Sequence, residues 1–184
     1  MLDSRQLARF EEFVLPHLDA AYNLARWLTR KDHDAEDVVQ EAYLRAVRFF
    51  DTFHGADGRV WLLAIVRNAC YDWLKQNRKQ WLATSFDEEL HSAPQSALDP
   101  ANLALVQEDR ELLRQALDEL PTEYREILVL RELEGLSYKE IGQVAGLPLG
   151  TVMSRLARGR DRLEQRLKAS DGGRFETGST NKEP

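Results

Sequence analysis
Residues Leu136–Leu163 read LSYKEIGQVAGLPLGTVMSRLARGRDRL, and the fold turns on how that stretch is parsed. Ser137 and Glu140 stand at the S-x-x-E spacing of a capping box. The serine oxygen can accept from the Glu140 N–H while the glutamate reaches back to the serine N–H, so a helix starts here. Tyr138, Ile141, Val144 and Ala145 are then available for packing. Gly146 can take the left-handed conformation that ends a helix, and Pro148 suits the entry to the next one. At about 100° per residue, Val152, Leu156, Gly159, Leu163 and Leu167 form one buried stripe of that second helix. Thr151, Arg155, Arg158 and Arg162 share another face, with Ser154 beside them. This is a helix-turn-helix pattern. Small hydroxyl residues where a helix enters the major groove, and arginines to bond guanine edges or phosphates, are what a recognition helix needs. Basic residues at this spacing are also common on a merely solvated face. The cap, the turn and the second amphipathic helix together favour DNA.

The formal net charge of −6 argues the other way. The charge is unevenly distributed, however. Residues 58–81 hold five Lys or Arg against one acid, and residues 135–170 hold seven against three. Residues 82–111 hold one basic residue against seven acids. With screening over about 8 Å at physiological salt, a local patch outweighs the distant total. Two basic islands in an acidic chain therefore permit selective DNA contact and weaken indiscriminate binding.

The 184 residues are 43% hydrophobic and 30% charged, enough for one ordinary domain or two small ones. The single cysteine, Cys70, excludes an internal disulfide framework and a multi-cysteine zinc site. The start MLDSRQLARFEEF has no basic segment followed by an apolar run, and the longest apolar run, Val60–Val66, is too short to span a bilayer. A cytoplasmic location without a membrane segment is expected. Helical periodicity predicts helices near 5–29, 34–50, 59–79, 104–119, 122–134, 138–145 and 149–168. Gly55 and Gly58 read as loop, Gly135 as a helix end and Pro121 as a helix start. The expected fold is all-α: two small helical domains joined by a flexible acidic linker, the C-terminal one a helix-turn-helix. The boundaries are 1–81, linker 82–103, 104–168, and a disordered tail over 169–184.

The N-terminal domain carries two further faces. In the helix from Arg59, an apolar side with Leu62, Leu63, Ile65, Val66, Ala69, Cys70 and Trp73 opposes Arg67, Asn68, Tyr71, Lys75 and Arg78. Cations mixed with an aromatic ring and an amide suit phosphate contact plus stacking on an unpaired base. Cys70, on the apolar side, reads as an inert core thiol. The helix from Asp34 has an apolar face of Val39, Ala42, Tyr43, Ala46 and Val47. Its other face has Asp37, Gln40, Glu41 and Arg48, with Leu44 among them. An apolar residue inside a charged face fits a protein-docking anchor. Asp34, Glu36 and Asp37 read as first-turn acids that complement the helix dipole rather than as metal ligands.

DAEDVVQEAYLRA, WLLAIVRNACYDWLKQ, the acidic linker and LPTEYREILVLRELEGLSYKEIGQVAGLPLGTVMSRLARGRDRL, in that order, resemble a bacterial extracytoplasmic-function sigma factor over about residues 10–168. The resemblance implies core RNA polymerase and promoter DNA as partners, with an anti-sigma factor as the regulator. It implies that Asp37, Gln40, Glu41 and Leu44 dock on the polymerase clamp. Arg59, Arg67, Asn68, Tyr71, Lys75 and Arg78, with the loop Phe53–Arg59, would read and open the minus-ten element. Thr151, Met153, Ser154, Arg155, Ala157, Arg158 and Arg162 would meet the minus-thirty-five element. Met153 and Ala157 stand where relatives often carry a larger or polar contact residue, so promoter preference does not transfer. The acidic linker is expected to mimic RNA in the polymerase's exit path. No P-loop, nucleophile–base pair or metal cluster is evident, so neither catalysis nor a cofactor is expected. The rival is a stand-alone helix-turn-helix regulator, which needs neither N-terminal face.

Overall fold
The computed structural model describes residues 3–55, 57–77 and 100–170, and shows helices and no strand among them. Asp3 opens α1 (Ser4–Phe13) with a capping box: its carboxylate accepts from the Gln6 N–H at 2.7 Å, and Gln6 accepts from the Asp3 N–H at 2.9 Å. The single helix expected over 5–29 is two. Pro16 lacks an N–H and its ring would clash with a preceding carbonyl. The chain therefore passes through a 3-10 turn, Leu15–His17, before α2 (Leu18–Thr29). Arg30 then adopts a left-handed φ of 70° and turns the chain into α3 (Asp32–Phe49). That helix starts two residues before the expected Asp34. Asp32 is not a side-chain cap; it pairs with Arg26 and accepts from the Tyr22 hydroxyl at 3.2 Å, tying α3 to α2.

A 3-10 turn, Phe50–Thr52, leads to α4 (Gly58–Gln76). Gly58 is the first residue of that helix rather than a loop residue, and Asp57 caps it through the Val60 N–H at 3.0 Å. The glycine is required by close approach: an added Cβ would lie 1.8 Å from the Phe13 carbonyl oxygen. Helices α2, α3 and α4 pack on one another around Leu24, Leu28, Val38, Ala42, Leu62, Leu63 and Val66. Phe10, Phe13, Phe50, Phe53 and Trp61 form an aromatic cluster beside them, with neighbouring ring centroids 5.2–6.1 Å apart. Val47, expected in the core, is 40% exposed.

The first helix of the C-terminal half begins earlier than expected. Helix α5 (Pro100–Asp118) starts with a proline at its first position, four residues before the expected helix start at 104. Residues 82–99 of the expected linker 82–103, with Arg78, lie outside the described residues. Pro121 precedes α6 (Thr122–Leu128), which continues as a π-helical turn, Val129–Leu133. Gly135, at φ 67°, ends it. The expected cap follows: Ser137 Oγ accepts from the Glu140 N–H and Glu140 accepts from the Ser137 N–H, opening α7 (Tyr138–Ala145). Gly146, at φ 66°, closes α7. Helix α8 (Leu149–Ser170) then runs two residues past the expected end. Val152 and Leu156 are buried with Ile127, Leu128 and Ile141, and Gly159 lets α8 settle on Leu128, 3.3 Å from an added Cβ. The halves also pack on each other, α4 against α7 and α2 against α6.

Candidate nucleic-acid interface
Helix α8 presents the residues read from its sequence. Val152, Leu156 and Gly159 anchor it inward, while Met153, Ser154, Ala157, Arg158 and Arg162 are exposed and Thr151 and Arg155 are half-buried. Ser154 Oγ donates to the Thr151 carbonyl at 3.0 Å. The Arg162 guanidinium lies 4.9 Å from the Tyr124 ring centroid, and Arg160 is held by Glu132 at 2.6 Å. Arg158 and Arg162 line a polar hollow with Glu119 and Asp161. A cation held over a ring keeps its donors directed outward while losing little of its rotamer freedom on binding.

The α4 face differs from a freely solvated one. Asn68 and Lys75 are exposed, but Arg59, Arg67 and Tyr71 are half-buried against the C-terminal half. Arg67 donates to both oxygens of Glu126 at 3.3 Å, and its guanidinium lies 4.2 Å from the Tyr71 ring centroid. The Tyr71 ring thus lies beside the same ion pair. Burial and the neighbouring Glu126 push the Tyr71 phenol up. Burial also raises the Glu126 carboxyl, against the pull of Arg67. Arg59 donates to Glu134 at 2.6 Å, and Asn23 of α2 donates to the other oxygen of that carboxylate. Beneath the face, burial pushes the Cys70 thiol far up, as an inert core thiol requires.

The α3 face stands open. Asp37, Gln40, Glu41 and Leu44 are all exposed, Leu44 at 59%. Gln40 and Leu44 border an apolar groove formed with Leu18, Tyr22, Val39, Tyr43 and Val47, its rim acidic at Asp19 and Glu36. The Tyr43 hydroxyl is buried without a hydrogen-bond partner, and burial pushes its pKa up to about 12. Glu41 is held by Arg45 at 2.9 Å, and Arg45 also reaches Asp72 of α4 at 2.7 Å.

Against known proteins, residues 13–80 match the Sigma-70 region 2 family model and residues 110–163 match Sigma-70, region 4. The ECF RNA polymerase sigma-E factor of Escherichia coli is 33% identical over 142 residues, covering 73% of this chain and 74% of that protein. The chain belongs to the extracytoplasmic-function sigma factor family. The ECF RNA polymerase sigma factor SigE of Mycolicibacterium smegmatis is 37% identical over 168 residues, 90% of this chain, which spans 64% of that relative's length. Among solved structures, the sigma factor RpoE in complex with the anti-sigma factor NepR from Bartonella quintana superposes with a TM-score of 0.69 at 31% identity, covering 87% of this chain and 97% of that one. CnrH in complex with the cytosolic domain of CnrY gives 0.59 at 26% identity, covering 91% and 90%.

In this sigma factor, α2–α4 lie in the region 2 match, and α6, α7 and α8 as far as Leu163 lie in the region 4 match. Sequence reading missed Asn23, Arg30, Arg125, Glu126 and Glu134, which join the two. Arg125 and Glu126 are adjacent and charged, the ordinary mark of a solvated turn, yet both are wholly buried. The available signal was the run Ile127–Leu130 beside them, too apolar for a helix with only one covered side.

Proposed function
We propose that this chain binds core RNA polymerase, directs it to specific promoters and helps to open the DNA. In this reading α3 docks on the polymerase through Asp37, Gln40, Glu41 and Leu44. Arg59, Arg67, Asn68, Tyr71, Lys75 and Arg78, with the loop Phe53–Arg59, read and hold the opened minus-ten element. Thr151, Met153, Ser154, Arg155, Ala157, Arg158 and Arg162 meet the minus-thirty-five element. The domain boundaries 1–81, 82–103, 104–168 and 169–184 follow those roles, with the acidic residues of 82–101 mimicking RNA in the polymerase. The observation that carries the reading is the pairing of two outward surfaces on one chain. A capped helix-turn-helix offers Ser154, Arg158 and Arg162, and a separate acidic face is centred on Leu44, 59% exposed.

The chain performs no bond chemistry of its own here; that belongs to the polymerase. It acts in the cytoplasm, where the polymerase is, and no helix among the described residues is long and apolar enough to cross a membrane. An anti-sigma factor is the expected regulator, in keeping with the anti-sigma partner of the solved Bartonella quintana relative. Transcription in vitro with core polymerase over genomic fragments, with start sites mapped, tests the proposal. Defined starts that need both core and this chain are expected; starts that do not depend on the chain would refute it.

A further inference from the structure
Helix α8 carries a surface that its own chain does not use. Leu149 and Met153 are 54% and 52% exposed, and Ala157, about one turn further on, is exposed too. Four residues of helix advance by about 40° around the axis, so the three form one slanted apolar strip. Core packing does not account for it, because the inward side already holds Val152 and Leu156, both buried. Beside the strip runs a crest of small exposed residues, Gly150, Ser154 and Ala157. Gly150 weakens the helix it stands in relative to alanine. Its φ is not left-handed, and an added Cβ would meet nothing within 4 Å. Nothing inside the chain therefore requires a bare backbone there; a surface that approaches from outside does. Thr151, Arg155 and Arg158 flank the crest on its other side.

In the major groove an apolar strip has one complement. The other groups that distinguish the bases there are hydrogen-bond donors and acceptors, and only thymine presents a methyl. Resting on the promoter reading above, we propose that Met153 and Ala157 read thymine, seating the C5 methyl groups of thymines in the minus-thirty-five element. The polar contacts fall to Arg158 on the opposite flank. Met153, unbranched and polarisable, adapts its thioether to the methyl it meets. Ala157 offers a small flat contact, and Leu149 closes the outer end of the strip against water. Met153 and Ala157 are about 6 Å apart along the axis, against about 3.4 Å per base step, so their thymines lie one or two steps apart for a helix lying along the groove. Asp161, exposed about one turn past Ala157, is repelled by phosphates and ends the reading segment near Arg158.

The test uses core polymerase assembled with the full chain, and one promoter whose start site has been mapped. Each thymine of the minus-thirty-five element, on either strand, is replaced in turn by uracil. That removes the C5 methyl and leaves every hydrogen-bonding group in place. Affinity should fall roughly fourfold at one or two positions, the worth of one buried methyl-sized group. Met153→Ala should lower affinity for thymine DNA by a similar factor and abolish the uracil effect at one of those positions. Met153→Leu, still apolar, should keep the effect. Both variants change an exposed side chain, and circular dichroism checks that they fold. An element without thymine, or uracil throughout it with no loss of affinity, would overturn the inference. So would a uracil effect undiminished in Met153→Ala, or a loss in that variant equal on thymine and uracil DNA, which would put the strip against protein. Failure of the promoter reading is a separate outcome: no start depends on the chain, and the inference falls with it.

Discussion

At the scale of single residues, Glu126 concentrates the physics of the junction. Burial raises its carboxyl, and Arg67, Tyr71 and Arg155 pull it back. A carboxyl raised above its ordinary 4.5 holds its proton more tightly in the folded chain than in the unfolded one. Folding therefore takes up a proton at this group, and its contribution is fully present below 4.5 and lost as pH rises through the raised value. Glu126→Gln should stay folded and lose that pH response, as read from chemical denaturation across the window; an equal response in both proteins would assign the proton elsewhere. Arg158 is exposed, so its role is decided by sequence dependence rather than by packing. Arg158→Ala should cost about 1–3 kcal/mol of promoter selectivity if it reads a base. Equal loss on every sequence, in competition binding by the holoenzyme, would make it a phosphate contact.

Single helices carry the next set of consequences. The start of α4 lies so close to α1 that Gly58→Ala forces the backbone apart, since its Cβ would sit 1.8 Å from the Phe13 oxygen. A loss of about 1–3 kcal/mol in chemical denaturation is expected. Ser137→Ala, which breaks the capping box, should cost about 0.5–2 kcal/mol in the same measurement. On α3, Gln40→Lys with Leu44→Lys should abolish co-purification with core polymerase while leaving the melting transition in place, because both side chains are exposed. Normal co-purification would remove the docking role. Helix α7 and its turn were legible because their signals are local: Ser137, Glu140 and Gly146 act within a few residues. The break before α2 was legible in principle at Pro16, but continuous apolar periodicity on both sides hid it. The engagement of Arg59, Arg67 and Tyr71 was not legible. It depends on Glu126 and Glu134, far away in the chain, and on a helix α6 covered from two sides.

For the whole molecule, the acidic balance and the DNA-reading helix cease to conflict. Many of the acids serve internal partners: Glu126, Glu134, Asp118 and Asp32 each hold an arginine. Others line the α3 surface, away from the recognition helix. A chain that pairs its own Arg59 and Arg67 with buried acids and carries a net charge of −6 should bind duplex DNA weakly when alone, and tightly on the polymerase if the proposed function holds. That dependence distinguishes a sigma factor from a stand-alone regulator. The direct test is the affinity of one mapped promoter fragment for the free chain and for the chain assembled with core polymerase, at the same salt concentration. The account predicts weak, sequence-indifferent binding by the free chain and tight binding with a defined start site by the assembly. Tight, specific binding by the free chain, unchanged by core polymerase, would contradict it.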